Sequence, residues 1–344
     1  MSKARQLAQK PNQPTGRKNL IINGAMQVAQ RGTSVTATTA GNTSHTVDRF
    51  HTEAAGCTYD HAQVSDGPDG FPNSIKATVD GAFTPTAGQY FVPFEQRIES
   101  QNLSHLAYGT SSAKTVTLSF WIKSNKTGTY VVEFSNNQAP STKKWSQSYT
   151  IDTADTWEHK TLTWTGDTAS GTEFDDDNTS GATFFWWMTA GTTFTSGALS
   201  GAWQTATSAN RAVGVPSSLA DNDEFYLTGV QVEVGSTATE FEHRSYAEEL
   251  ALCQRYYEVG TFWNRGVQIS TGRFEQSVPY KVTKRISSHS VTETLNTNSG
   301  AFSSTNPEVR PTSDAGTAYT YSDFLTASSG DNTLVMSWIA EAEL

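Results

Sequence analysis

Along most of the chain, apolar and polar residues alternate over short runs, the period-2 signature of half-buried strands. The clearest case lies between Thr115 and Trp164: Val116, Leu118, Phe120 and Ile122 fall on one face, Trp121 and Lys123 on the other. Asn125 to Gly128 supplies a turn, Tyr130 to Phe134 runs back, and Trp157 to Trp164 alternates as a third strand. Phe184 to Met188 is apolar at every position, as a strand central to two packed sheets would be. His51 to Val64, Ser74 to Val79 and Tyr90 to Ile98 also read as extended, with a loop at Pro68, Gly70 and Pro72. Many short strands between polar loops predict a β-sandwich. No fixed-period repeat is visible.

The pattern changes after Phe225. Phe225, Leu227, Val230, Val232 and Val234 form a last strand whose phase slips at Gly229, which predicts a bulge. A helix then starts at a capping box, Ser245 with Glu248. Glu248 and Glu249 in the first turn and Arg255 near the end suit the helix dipole. Tyr246, Leu250, Cys253 and Tyr257 share one stripe, and Gly260 is the expected stop, giving a connecting helix of about four turns within 241–260. Such a helix is not stable alone. Its stripe packs either on the β domains or on copies of itself in a three-chain core, and both readings stand.

From Thr261 to Leu344 short strands return, at Gly266 to Thr271, Phe274 to Val282, Ser290 to Leu295 and Asn332 to Ile339. A small β domain with open sheet edges is often stabilised by assembly. A homotrimer using Tyr246, Leu250, Cys253 and Tyr257 as its interface would bury those edges and the helix stripe together.

Composition narrows the function. The 344 residues are 17% charged and 11% aromatic, with nine Trp, a balance suited to sandwiches with long polar loops. A net charge of −10 argues against nucleic acid as a partner. The only two cysteines, Cys57 and Cys253, cannot make a disulfide framework; they are expected as reduced core residues, Cys57 in a strand and Cys253 on the helix. No run approaches the roughly 18 apolar residues of a membrane span. The first residues lack the apolar segment of a secretion signal, so synthesis in a cytoplasm without general secretion is expected. Residues 1–18 are instead a basic segment, with Lys3, Arg5, Lys10, Arg17 and Lys18 and no acid, in a chain that is otherwise acidic. By composition this segment reads as a mobile tail, since termini fray unless something holds them; docking on a partner surface, an acidic one by charge, is the expectation if it is ordered.

Four stretches in order, NLIINGAM from Asn19, TVTLSFWIKSNKTGTY from Thr115, TWEHKTLTWTG from Thr156 and DEFYLTGVQVEVG from Asp223, resemble carbohydrate-binding modules of the jelly-roll type. Asn19 to Gly32, Thr46 to Phe50 and Thr239 to Tyr257 together are similar to tail-fibre and related virion proteins of bacteriophages. So is the ending Trp338-Ile339-Ala340-Glu341-Ala342-Glu343-Leu344. The resemblance implies a mainly β protein: a virion-attachment segment over 1–18, a jelly-roll domain over 19–240, a connecting helix over 241–260 and a small C-terminal β domain over 261–344. It implies a virion structural protein made in the bacterial host's cytoplasm, a tail fibre or fibre-like appendage able to bind host-surface glycans. A capsid decoration or spike protein is the alternative, and a polysaccharide-degrading enzyme the second.

No catalytic motif is present. The seven histidines form no metal-binding pair at helical spacing, and Glu158 and His159 are strand neighbours that point to opposite faces. The chain is therefore expected not to be an enzyme and to need no cofactor. Asp175, Asp176 and Asp177, with Glu173 nearby, offer oxygen ligands of the kind Ca²⁺ takes, without the spacing of an EF-hand loop; a solvated acidic loop is the plainer reading. For sugar recognition the loop aromatics Trp145, Trp203 and Tyr108 are the candidates, each with a structural role as its alternative.

Overall fold

The computed structural model describes residues 17–39, 46–138, 142–267, 273–299, 308–311, 317–323 and 331–344. They form a mainly β protein in two compact units. The first comprises Met1–Gln27, Thr33–Thr46 and Phe50–Arg244; the second comprises Val28–Gly32, Val47–Arg49 and Ser245–Leu344. The second unit thus borrows two short segments from the N-terminal part of the chain.

The first unit is a jelly-roll β-sandwich. Its strands are β1 (Ser34–Thr38), β2 (His51–Ala55), β3 (Tyr59–Val64), β4 (Ser74–Val79), β5 (Tyr90–Glu99), β6 (Val116–Ser124), β7 (Gly128–Asn136) and β8 (Lys143–Ile151). They continue with β9 (Glu158–Trp164), β10 (Ser180–Trp187), β11 (Thr189–Ala190), β12 (Gln204–Thr205) and β13 (Glu224–Val234). One sheet has the order β1-β3-β4-β13-β6-β9; the other runs β11-β5-β10-β7-β8-β12, with β2 on β5. Every pairing is antiparallel. The inner faces meet through aromatic pairs that join one sheet to the other. Phe120 of β6 lies 5.8 Å from Trp186 of β10, and Phe134 of β7 lies 5.7 Å from Trp164 of β9. The fully apolar run is β10, central in its sheet between β5 and β7. Cys57 is buried but sits in the connection between β2 and β3 rather than in a strand.

The two outer faces differ. That of the seven-stranded sheet is covered by the chain after β11: Val92, Val131, Phe185 and Trp187 pack with Ala212, Val215, Phe194 and Leu199. Arg211 clips this cover to the sheet by donating to both carboxylate oxygens of the buried Glu133 at 2.8–3.1 Å. The outer face of the six-stranded sheet keeps an opening over β6.

In the second unit the capping box forms as expected: Ser245 N–H donates to Glu248 Oε2 at 2.9 Å, and Ser245 Oγ accepts from Glu248 N–H at 3.3 Å. The helix itself spans only Tyr246–Gln254. Tyr257, expected on its stripe, instead opens strand β14 (Tyr257–Val267), paired with Glu341 of β19 (Asp331–Glu341). Gly260 is no helix stop. It lies opposite Trp338, whose ring would sit 2.2 Å from any added Cβ. Cross-strand pairing supplies a partner for every residue from Tyr257 to Val267, and that outweighs continued helix. The remaining strands are β15 (Arg273–Pro279), β16 (Ser290–Ser299), β17 (Glu308–Pro311) and β18 (Thr317–Asp323), in two sheets ordered β14-β19-β16 and β15-β18-β17. Phe262, Tyr280, Met336, Trp338 and Ala340 form the core. Of the strand expected at Gly266 to Thr271, residues 268–271 lie outside the described residues.

Candidate functional site

The site is built outward from the bulge in β13. Register with β6 shifts between Thr228 and Gln231, and Gly229 takes φ 61°. A Cβ there would lie 2.8 Å from Trp121 Cδ1 and 3.0 Å from Phe71 Cζ, so glycine lets both rings settle over the backbone. Trp121 rises from the outer face of β6, flanked in register by Thr228 of β13 and His159 of β9. Its ring centroid is 5.1 Å from that of His159. Phe71, from the loop after β3, packs edge-on against Phe241 at 4.9 Å and lies 5.2 Å from His243.

These rings line a cleft of about 640 Å³. Ser119 and Gly229 lie within it, and Asp69, Thr239 and Glu240 complete its lining, which contains no Lys or Arg. The segment carrying Thr239 to His243 forms one wall. Glu233 of β13 accepts Thr239 N–H at 2.8 Å and its hydroxyl at 2.7 Å, while Gln231 Oε1 accepts Glu242 N–H at 2.8 Å. Burial pushes the His159 imidazole below its ordinary value, which favours the uncharged ring at neutral pH.

Along the same sheet face the aromatic strip continues. Trp157 and Tyr226 lie 6.2 Å apart, with Lys123 Nζ 4.2 Å from the Tyr226 centroid. Asp66 accepts from Lys123 Nζ at 2.5 Å and from Trp157 Nε1 at 3.2 Å. Burial acts to raise its carboxyl, but those two donors outweigh it and hold the carboxyl below the ordinary value. A cleft of this size with aromatic faces and a few polar groups suits a small, flat, hydroxyl-rich ligand.

The three aromatics chosen from sequence are brought together elsewhere, and Trp145 is not in a loop but in strand β8, paired with Phe134 of β7. Trp203 lies 6.1 Å from Trp145 and 5.7 Å from Tyr108. Tyr108 is only 2% exposed and packs on Phe174, so it supports the others and has no free face for a ligand. The neighbouring Gly109 N–H donates to Asp167 O at 2.8 Å, which pins the loop that carries Tyr108. Trp203 donates its indole N–H to Thr165 O at 2.7 Å. Trp145 lines a second groove of about 410 Å³ with Gln147, Thr163 and Ser200.

Asp175 and Asp176 are exposed, while Asp177 Oδ1 accepts from the Thr179 amide at 3.0 Å and hydroxyl at 2.7 Å. Among the described residues no group of three or more His, Cys, Asp or Glu is placed to hold a metal ion. Lys3, Arg5 and Lys10 lie outside the described residues. Arg17 is half-buried, and Lys18 is engaged by its own unit, its Nζ donating to Thr239 Oγ1 at 2.8 Å. Of the helix stripe, Tyr246 is 56% exposed and Leu250 is half-buried. Cys253 and Tyr257 are buried within the second unit, Tyr257 under Arg31 at 3.7 Å. The helix buries Glu249, Cys253 and Gln254, so the expected four-residue stripe is not one open surface.

Sequence reasoning missed Phe71, Trp121, His159, Phe241 and His243. One signal was there: Trp121 falls on the solvent side of the strand whose core side is Val116, Leu118, Phe120 and Ile122.

The chain is, in class, a jelly-roll β-sandwich protein with an aromatic cleft on one outer sheet face. No family model matches it, and no curated protein matches it. Among solved structures it is similar to the enzymatically active domain of bacteriophage CBA120 tailspike protein 4, at 13% identity and TM-score 0.33, over 63% of this chain and 22% of that one. It is similar also to the C-terminal family 22 carbohydrate-binding module of Clostridium thermocellum Xyn10B, at 9% identity and TM-score 0.34, over 66% of this chain and 100% of that one. A family 61 module in complex with β-1,4-galactotriose is a third, at 7% identity and TM-score 0.33, over 64% and 100% of the two chains. At such identities and TM-scores these likenesses carry no argument about the role of this chain. Among the described residues no helix is long and apolar enough to cross a membrane.

Proposed function

We propose that this chain is a non-enzymatic bacteriophage virion protein, a tail fibre or fibre-like appendage, that binds host-surface glycans in the cleft over Trp121. The observation that carries the binding half is the cleft itself, where Trp121, Phe71 and Phe241 lie among Ser119, Thr239, Asp69 and Glu240. Aromatic faces stack on the C–H faces of sugar rings, and planar polar groups take the hydroxyls. The virion half is supported by the basic 1–18 segment, which suits attachment to an acidic particle surface, and by the resemblance of Thr239 to Tyr257 and of the C-terminal ending to tail-fibre proteins. In this reading the protein is made in the host cytoplasm, is assembled into the particle and acts as a homotrimer.

A glycan array with the full chain, with and without Ca²⁺, tests the binding. Hits are expected that weaken about tenfold or more in Trp121→Ala, the order expected for removing one stacked aromatic. An array without hits leaves only a structural role, and release of reducing ends from a host polysaccharide would replace binding by hydrolysis. Cross-linking in the particle tests the location: tail or portal proteins as partners fit a fibre, and major capsid protein overturns it in favour of a decoration. A monomeric mass by light scattering overturns the trimer.

A further inference from the structure

The wall segment from Gly235 to Arg244 carries no helix or strand, yet it supplies Thr239, Glu240, Phe241 and His243 to the cleft. Segments without ladder pairing open easily unless other groups hold them. Here part of the hold comes from Glu233 and Gln231 of β13, as described above, and the rest from the start of the chain. The Glu242 carboxylate accepts Lys18 N–H at 3.0 Å, Asn19 N–H at 2.9 Å and Arg244 Nη2 at 2.8 Å. Arg244 Nη2 also donates to Asn19 O at 2.6 Å, and its Nη1 to Ile21 O at 3.2 Å. Lys18 Nζ reaches Thr239 Oγ1 and the Glu240 carbonyl. Asn19 in turn is fixed to β13 through Val230 O and Val232 N–H, at 3.0 Å each. None of Lys18, Asn19, Glu242 and Arg244 lines the cleft, whereas Phe241 and His243, on either side of Glu242, do. Alternate residues of an extended segment point to opposite sides, so this wall is gripped on one side and offered to a ligand on the other.

We propose that Lys18, Asn19, Glu242 and Arg244 are positioning residues: they latch the cleft wall to the N-terminal segment and so set the glycan affinity of the site. The proposal rests on the glycan reading above. It means that the segment used for attachment to the particle ends in the latch, and a partner that draws Lys18 away loosens the cleft.

Hydrogen–deuterium exchange of the full chain and binding to the strongest array ligand test it, in Lys18→Ala, Lys18→Arg and Glu242→Ala. Lys18→Ala is the mild variant, removing one side chain from the partly exposed start of the segment. Exchange of amides 238–244 is expected to speed up about fivefold to twentyfold in Lys18→Ala and Glu242→Ala, as for losing one or two hydrogen bonds to charged groups, while β6 and β9 stay protected. Glycan affinity is expected to fall by a similar factor through a faster off-rate, and Lys18→Arg to restore most of it. Unchanged exchange in Lys18→Ala overturns the latch, and so does faster exchange with unchanged affinity. An array on which the wild-type protein has no hit overturns the glycan reading itself, a result independent of the exchange measurement.

Discussion

Asn19 Oδ1 accepts the Val232 amide at 3.0 Å across 213 residues of sequence. The bulge at Gly229 breaks the register of β13 against β6, and the Asn19 amide serves the two places next to it, taking Val230 O as well as Val232 N–H. Gly24 completes the splice by accepting Val230 N–H at 2.9 Å; a Cβ at Gly24 would lie 2.1 Å from Val230 O. The opening Asn-Leu-Ile-Ile-Asn-Gly stretch is therefore a patch for the strand that carries the cleft.

Asn19→Ala is expected to leave these backbone groups unmatched. The cost should be about 1–3 kcal/mol, the range for orphaning buried donors and acceptors. Urea unfolding followed by tryptophan fluorescence measures it, and Asn19→Asp should lose less than Asn19→Ala if the Val232 contact dominates.

Gly229→Ala should damage the cleft more than the rest of the sandwich. At φ 61° an alanine is strained, and its Cβ meets Trp121 and Phe71. A loss of about 1–3 kcal/mol with weaker glycan binding is expected. Unchanged binding in a folded Gly229→Ala protein would contradict the placement of the site over the bulge.

In the second unit the fully buried Arg49 lies 3.5 Å over the Tyr256 ring and pairs with Glu343, and Arg31 joins Glu343 at 3.2 Å. Removing one partner of a buried pair strands the other, so Arg49→Ala should cost about 3–5 kcal/mol. Glu343→Gln keeps a hydrogen-bond acceptor and should cost less. Limited proteolysis of the part after Ser245 separates the two outcomes.

Acidity should be felt first at Glu95. Burial raises its carboxyl to about 7; Arg97 opposes this and Glu53 adds to it. Unfolded, a glutamate titrates at about 4.3, so between these values the folded protein holds a proton that the unfolded chain has released. Stability is thus fully present below the unfolded value, declines as pH rises through 7 and is flat beyond. Glu95→Gln should abolish the decline, seen as equal urea midpoints at pH 5 and pH 8.

The wall latch predicts the opposite slope at lower pH. Burial acts to raise the Glu242 carboxyl, but the amides of Asn19 and Lys18 and the Arg244 guanidinium outweigh it and hold the carboxyl below its ordinary value. Its contribution is complete above the ordinary glutamate value and is lost as pH falls through the lower folded value. Faster exchange of amides 238–244 below that pH, and not above it, is the expected result.

Much of the fold was legible because it is written in local periodicity. The strands at Val116 to Ile122, Ser74 to Val79 and Phe225 to Val234, the slip at Gly229 and the Ser245–Glu248 box each depend on residues a few positions apart. Strand β8 was not, since Trp145 is the one apolar residue from Lys143 to Ser148, too few to show an alternation; pairing with β7 makes it a strand. The end of the helix was hidden too, because Tyr257 is drawn off by Glu341 from far along the chain.

Apart from the solvent-side position of Trp121, the cleft left no local pattern. Phe71, Trp121, His159 and Phe241 come from four separate segments, and each alone reads as an ordinary loop or strand aromatic. By itself the sequence determined which stretches are extended, which face of each is apolar, where β13 must slip and where the helix begins, because those are matters of spacing and steric fit between neighbours. Which rings meet over the bulge, what holds the wall beside them and where the helix gives way to a strand were decided by tertiary structure alone, because hydrogen bonds and ring contacts between distant segments exist only once the sheets have assembled.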